Sequence, residues 1–522
     1  MSRHVVICGA GSAGCTLAAR LTEDPGTSVT LLEGGPDYPA PEDMPDDIRS
    51  AWIFGVPDHD WGFTSEAVAV SDNIPSWSVV NAGEVPMPRG KVVGGSSAVN
   101  GTNALRALPV DFARWQAMGA DSWGWDSVLP YFRKLEDDPA GGSWHGTGGP
   151  IRVRRFPGTE QTPVTKAFIE ACQGLGHRYV DDLNGPNPCG VGPLPTNQVD
   201  GVRQSAALCY LTPDVRARPN LTVRPDTLVD RVETVNGRAQ AVILATGERL
   251  AGDTVVISAG SYCSPGILIR SGIGPADDLD RLGVPLVHAN EAVGRNLRDH
   301  PFSTLAFQPT SAFDQSDPPL QTLLHRASSG TRDDSGIDLQ VVLFTVDPAR
   351  IFVGVALLRP YSIGRVETVS RDPRVAPRIV ANFYQHPEDL ARVVEGVKHI
   401  RELVAHPALK AYVGEEVFPG ADVVGDAAIA AAVQGAPTTQ AHPVGTCSMG
   451  PAASPWGVVD QRGAVHGVDG LYVIDASIMP TLPVVPTNLT TIMIAERCAD
   501  HLRKTLTTDH GHDAIPASPR PQ

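Results

Sequence analysis

No apolar run in this chain reaches the roughly 18 residues that a membrane-spanning helix requires, so no transmembrane segment is expected. Positive charge is in short supply: 42 Lys and Arg stand against 58 Asp and Glu, a formal charge of −16. A field of that sign repels phosphate backbones and anionic lipid surfaces, which argues against a nucleic-acid or peripheral-membrane partner. There is no Cys-x-x-Cys pair. The eight cysteines are dispersed, a pattern that reads as buried free thiols in a reducing compartment rather than disulfides or a metal site. The first strand begins at His4, which leaves no stretch for a cleaved leader, and a cytoplasmic location is expected. No internal repeat is visible.

Turn formers, by contrast, are plentiful. The 52 Gly and 46 Pro are scattered between apolar runs, as in a globular chain with many turns and coil crossings. The N-terminus reads strand, glycine turn, helix, strand. His4 to Cys8 is apolar, and Gly9-Ala10-Gly11-Ser12-Ala13-Gly14 is the turn. Ala13, Leu17 and Leu21 then recur at helical spacing until Pro25-Gly26, and Val29 to Leu32 forms a second strand closed by Glu33-Gly34-Gly35. This is a βαβ unit of a doubly wound sheet. Its glycines let backbone amides approach a pyrophosphate at the positive end of the helix dipole. Glu33 is placed to accept hydrogen bonds from a ribose diol and would repel a 2′-phosphate. On these residues alone FAD and NAD remain equal candidates.

Residues 36–130 read as loop-rich, with a glycine-dense stretch from Arg89 to Gly101. Short strands follow from 221 to 260, with Asn236-Gly237 and Thr246-Gly247 as hairpin turns. Strand-like runs at Leu339–Phe344 and Phe352–Leu358 predict a second layer of sheet. The residues Leu390, Val393, Val394, Val397, Ile400 and Leu403 line one face of a helix over 387–404, a core-packing element without chemistry. A strand at Leu471–Ile474, a turn, and a helix over about 490–502 complete the pattern, and residues 507–522 read as a disordered tail.

Four separated segments resemble the glucose–methanol–choline (GMC) family of FAD-dependent oxidoreductases, over about residues 4–505. They are the N-terminal turn with Glu33-Gly34-Gly35; Gly90-Lys-Val-Val-Gly-Gly-Ser-Ser-Ala-Val-Asn100; Gly260-Ser-Tyr-Cys-Ser-Pro-Gly-Ile-Leu-Ile-Arg-Ser-Gly-Ile-Gly274; and a C-terminal group. That group comprises His442-Pro-Val-Gly-Thr-Cys-Ser-Met-Gly450, Asp475-Ala-Ser and Thr487-Asn488 onward to Glu496. Gly294-Arg-Asn-Leu-Arg-Asp-His300 is a smaller match. The resemblance is nearest to choline-type and hydroxymethylfurfural oxidase-like members.

The resemblance implies an α/β fold: a Rossmann-like FAD-binding domain (1–155, 221–302 and 440–506) with a discontinuous α+β substrate-binding domain (156–220 and 303–439) built on an antiparallel sheet. FAD is implied at Gly9, Gly11, Ser12, Ala13, Gly14, Glu33, Gly34, Gly94, Gly95, Ser96, Asn100, Asp475 and Ala476, with Val229 near the adenine. Some members tether FAD through a histidine in the second segment. The matching position here is Val99, so non-covalent FAD is expected. The segment 260–274 reads more readily as a fold-defining turn than as a catalytic group.

His442 resembles the family's active-site histidine and Asn488 its partner. An imidazole titrating near neutral pH suits a base that removes a hydroxyl proton, and an amide donor steadies the developing alkoxide without competing for that proton. Hydride then goes to flavin N5. The implied activity is oxidation of a primary or aromatic alcohol to an aldehyde, with oxygen or another compound as final acceptor. A lyase acting on cyanohydrins and a non-catalytic flavoprotein are the alternatives; no clustered His, Asp or Glu makes His442 a metal ligand.

Overall fold

A computed structural model describes residues 3–53, 57–66, 84–311, 317–332 and 335–508. Five parallel strands form one sheet, in the order Leu221–Arg224, Thr27–Leu32, Arg3–Cys8, Thr254–Ile257, Leu471–Val473. Val5 lies between Val29 and Thr254 in register. A parallel sheet covered on both faces needs unbroken apolar strands, and Val5, Val6, Ile7 and Cys8 are fully buried. On one face the helix Ser12–Leu21 packs against the C-terminal helix Asn488–Thr508. The two are joined by Arg20, whose guanidinium meets the buried Glu496 carboxylate at 2.7 Å. The C-terminal helix thus runs further at both ends than its apolar spacing indicates, and residues 509–522 of the expected tail lie outside the described residues.

The hairpin turns stand where the sequence places them. Val229–Val235, Arg238–Leu244 and Arg249–Ala251 form an antiparallel three-stranded sheet. Asn236 (φ 52°) and Gly237 (φ 76°) both adopt positive φ, as a two-residue type I′ turn demands.

A larger antiparallel sheet has the order Val413–Phe418, Pro301–Pro309, Arg350–Leu357, Leu339–Asp347, Thr322–Arg326, Gly190–Pro193, with Thr438–Thr439 on the second of these. The helix Pro387–Ala405 packs on it through Val393, Val397, Ile400 and Leu403. Along Leu339–Asp347 the side chains alternate. Leu339, Val341 and Leu343 enter the core shared with this helix, while Gln340, Val342 and Phe344 face a cavity.

One stretch departs from the reading of its sequence. The loop-rich region 36–130 holds the short helix Asp46–Arg49 and the longer Pro109–Ala117, and the helix Trp125–Leu135 begins within it. The helix Pro109–Ala117 buries Phe112 and Trp115, and Trp125–Leu135 buries Val128, Phe132 and Leu135 around an internal Pro130, so each apolar pattern is short.

Candidate active site

At the end of the strand Arg3–Cys8 the chain turns at Gly9 into the helix Ser12–Leu21. Gly9 has φ 107°, and a Cβ there would lie 2.5 Å from the Ser258 carbonyl oxygen, so the turn is open only to glycine. The second glycine segment docks on the first. Gly94 N–H donates to the Ala10 carbonyl at 2.7 Å, and a Cβ on Gly95 would stand 2.7 Å from the Gly11 Cα. Glu33, just beyond the strand Thr27–Leu32, is buried and accepts from Ala10 N–H and Gly35 N–H, each at 3.0 Å. Burial pushes its carboxyl up to about 7 against the lowering effect of those amides.

One continuous cavity of about 560 Å³ runs from this turn to His442 and Asn488. It is lined by Gly9, Gly11, Ser12, Ala13, Glu33 and Gly34 of the turn, and by His442 and Asn488. Gly95, Ser96, Val99, Asn100, Val229, Asp475 and Ala476 also line it. A ligand that fits has phosphates to set against the glycine turn, a ribose for Glu33 and a reactive group near His442 and Asn488. FAD meets that description, and the bare glycine walls and the exposed start of a ten-residue helix suit its pyrophosphate.

The remaining predicted residues serve the wall from behind. Gly14 and Gly94 do not line the cavity: a Cβ on Gly14 would meet the Gly9 carbonyl oxygen at 1.9 Å, which holds the helix against its own turn. The Asp475 carboxylate is engaged within the protein. Its Oδ2 accepts from Gly260 N–H (2.8 Å) and Ser264 Oγ (2.6 Å), and its Oδ1 from Ser477 N–H (2.8 Å). The segment 260–274 therefore braces the Asp475 turn, and its helix, Gly260–Arg270, begins earlier than Ser264-Pro265 suggests.

His442 sits at the cavity beside a histidine the sequence reading does not single out. His300 Nδ1 lies 3.0 Å from His442 Nδ1, with the rings edge to face at 86°. His300 Nε2 lies 2.9 Å from the Pro483 carbonyl oxygen, which only accepts, so Nε2 carries the proton. Burial pushes His300 down to about 3 and keeps it neutral, which leaves its Nδ1 as an acceptor. His442 Nδ1 must then donate. Burial, the His300 ring and the Arg89 guanidinium hold His442 well below the ordinary imidazole value, so it too is neutral and its lone pair resides on Nε2.

Asp299 fixes this pair through the backbone. Its Oδ1 accepts from His300 N–H and His442 N–H, both at 2.8 Å, and its Oδ2 from Thr439 Oγ1 at 2.7 Å. Burial pushes Asp299 up to about 6. Asn488 is held by Ser12 Oγ, which donates to Oδ1 at 2.9 Å, while the buried Nδ2 has no partner among the described residues. A basic nitrogen and an unspent amide donor thus share one cavity. The sheet contributes Phe302, Leu320, Gln340, Val342 and Phe344 to its wall. The only advance signal for Asp299 and His300 is their place at the end of the segment 294–300.

Away from the cavity, Glu136, Asp138 and His145 bring ligand-type atoms within 4.8 Å of one another. Arg106 pairs with Glu136 at 2.9 Å, Arg155 with Asp138 at 2.6 Å and with Asp182 at 2.7 Å, and His145 with Asp182 at 2.8 Å. Three cations already balance three carboxylates, and the cluster is a buried ion-pair network.

Comparison with known proteins supports this picture. The family described as GMC oxidoreductase matches residues 4–302 and, through its C-terminal part, 360–495. An oxygen-dependent choline dehydrogenase of Yersinia pseudotuberculosis is 36% identical, covering 96% of this chain and 94% of its own. Another, from Rhizobium rhizogenes, is 34% identical over 96% of each. The crystal structure of pyridoxine 4-oxidase from Mesorbium loti superposes with a TM-score of 0.87 at 30% identity, covering 96% of this chain and 99% of that one.

Proposed function

Because the chain belongs to the GMC oxidoreductase family and is an FAD-dependent oxidoreductase acting on CH–OH donors, we propose that His442 and Asn488 carry its chemistry. The supporting observation is the line of contacts from the Pro483 carbonyl to His300 (2.9 Å) and from His300 to His442 (3.0 Å), from which the His442 Nε2 lone pair follows as the available base. That nitrogen removes the hydroxyl proton of the alcohol. Asn488 Nδ2–H donates to the same oxygen and stabilises the alkoxide that forms. Asp299 and His300 act through His442: one sets its backbone, the other its tautomer. FAD, held without a covalent tether, supplies when bound the acceptor for the hydride that leaves the carbinol carbon.

Gly9, Gly11, Ser12, Ala13, Glu33, Gly34, Gly95, Ser96, Asn100, Val229, Asp475 and Ala476 would hold FAD along the cavity, with Gly14 and Gly94 shaping the turns behind them. The division into an FAD-binding domain (1–155, 221–302, 440–506) and a substrate-binding domain (156–220, 303–439) is proposed on the same ground. The substrate is a primary or aromatic alcohol and the product an aldehyde. Phe302, Leu320, Val342 and Phe344 offer an apolar, aromatic surface. Choline, named in the Yersinia relative, is a permanent cation that wants a carboxylate beside such rings. Among the described residues the wall drawn from 302–344 and 439–443 holds none, and Asp60, which lines the cavity beside Trp61, accepts from Gly62 N–H and Arg89 N–H. The eight free cysteines suit the reducing cytoplasm as the place of action.

The test is a panel of alcohols added to the yellow holoenzyme under nitrogen. Bleaching of the flavin identifies a substrate and excludes a lyase, which would leave it oxidised. Repetition in air, with peroxide measured, and with an artificial acceptor under nitrogen separates oxygen from other acceptors. A flavin that no alcohol bleaches would overturn the reading.

A further inference from the structure

Arg203 ends the short hairpin of Gln198–Val199 and Val202–Arg203, and it is buried, at 2% exposure. Its guanidinium meets five backbone carbonyls from two separate stretches of chain. Nε donates to the Asn100 oxygen at 2.9 Å and Nη2 to that of Ile53 at 2.8 Å. Nη1 donates to Ala98 at 2.7 Å, to Asp47 at 3.0 Å and to Ile48. Carbonyl dipoles solvate a cation but carry no net charge to cancel it. The carboxylate whose field reaches Arg203 is that of Asp47, which turns to His59 Nδ1 at 3.4 Å and gives the arginine only its carbonyl. Burial pulls Arg203 down to about 10, so it remains protonated at neutral pH.

The place of this charge gives it a use. Ser96, Val99 and Asn100 line the cavity, and Arg203 holds the Ala98 and Asn100 carbonyls of the same segment from behind. That segment lies against the glycine turn, since Gly94 N–H donates to the Ala10 carbonyl and Gly95 abuts Gly11. Arg203 itself does not line the cavity. A cation that no carboxylate neutralises, set one layer behind a wall of low polarity, acts on whatever lies in front. The pyrophosphate of FAD is a dianion, and a formal charge of −16 on the chain otherwise opposes its entry.

We propose that Arg203 is the counter-charge for FAD: a positioning residue that acts through the segment 94–100, without touching the ligand, and favours the pyrophosphate in the cavity. This inference rests on the FAD site proposed above and deepens it.

The test compares wild type, Arg203→Lys and Arg203→Met as holoenzymes. Each is diluted serially, and the dissociation constant of FAD is read from the fluorescence of the flavin released. Both substitutions break the carbonyl clamp and should lower the melting temperature at saturating FAD alike, but only lysine keeps the charge. Arg203→Met should weaken FAD by about 100-fold or more, and Arg203→Lys by no more than about tenfold. Asp47→Asn leaves the clamp in place and removes the carboxylate that partly offsets the arginine. It should tighten FAD by about two- to fivefold, and it carries the test if neither Arg203 variant folds. Equal weakening by lysine and methionine, wild-type affinity in Arg203→Met, or no tightening in Asp47→Asn overturns the proposal while leaving the FAD site standing. Gly95→Ala probes that site itself, because its Cβ would stand 2.7 Å from the Gly11 Cα. Wild-type affinity for FAD in that variant would overturn the site and this inference with it.

Discussion

The imidazole of His442 is useful as a base only while it is neutral, and its surroundings decide the range over which that holds. Burial, His300 and Arg89 disfavour the protonated form, so His442 stays neutral to well below pH 6.5. Activity is gained as pH rises through this depressed value and is retained above it. The acidic limb of the kcat/KM profile should therefore fall below pH 6.5; a limb at or above 6.5 would mean the ring is not held as described. His300→Leu removes the acceptor for His442 Nδ1–H. It should slow flavin reduction by roughly 10–100-fold with FAD retained, a smaller loss than that of the base itself. His442 and Asn488 were legible because each sits in a recognisable local segment. Asp299 and His300 were not, because their roles arise from contacts to residues 439–442 and 483 that only the folded chain brings near.

At the scale of elements, the five-stranded sheet and its glycine turn were readable because burial on both faces writes continuous apolar runs into the strands. The hairpin at Asn236-Gly237 was readable from turn chemistry alone. The helices Pro109–Ala117 and Trp125–Leu135 were not, since the first buries only Phe112 and Trp115 of its apolar residues and the second carries Pro130 in its interior. Nor were the short strands Gly190–Pro193 and Thr322–Arg326, which find one another across a long sequence interval. The helix Trp125–Leu135 leads into the ion-pair network, where Arg106 is 1% exposed and meets the fully buried Glu136. Arg106→Met leaves that carboxylate without its cation and should lower stability by about 3–5 kcal/mol, measured by denaturant unfolding. In the same network burial alone would depress His145, but Asp138, Asp182 and Glu136 outweigh it and push the ring up to about 10. A raised value in the fold stabilises it fully below the unfolded value of 6.5, and the contribution drains away as pH rises toward 10. Asp138, held below the usual carboxylate range by His145 and Arg155 against its burial, acts in the opposite sense and loses its contribution under acid. The melting temperature should accordingly fall between pH 7 and 10, and His145→Gln should flatten that decline.

Across the whole molecule, strands from three distant stretches of sequence build the parallel sheet, and one cavity joins its glycine turn to the wall of the antiparallel sheet. A ligand that fills this cavity touches both halves of the fold and stabilises it by mass action. Apoprotein should gain about 2.7 kcal/mol when free FAD stands at 100 times its dissociation constant, seen as a rise in melting temperature with added FAD. The glycine turn alone left FAD and NAD equal; the distant segments at 90–100 and 442–496 distinguished them, and the fold sets those segments on one cavity. The chemistry turns on what His442 does there. Wild type and His442→Ala, both loaded with FAD, are mixed anaerobically with an alcohol that bleaches the wild-type flavin, and the reduction is followed in a single turnover. The variant should keep its yellow flavin bound and reduce it about 10²–10⁴-fold more slowly. Reduction at a rate near that of the wild type would contradict the assignment of His442 as the base.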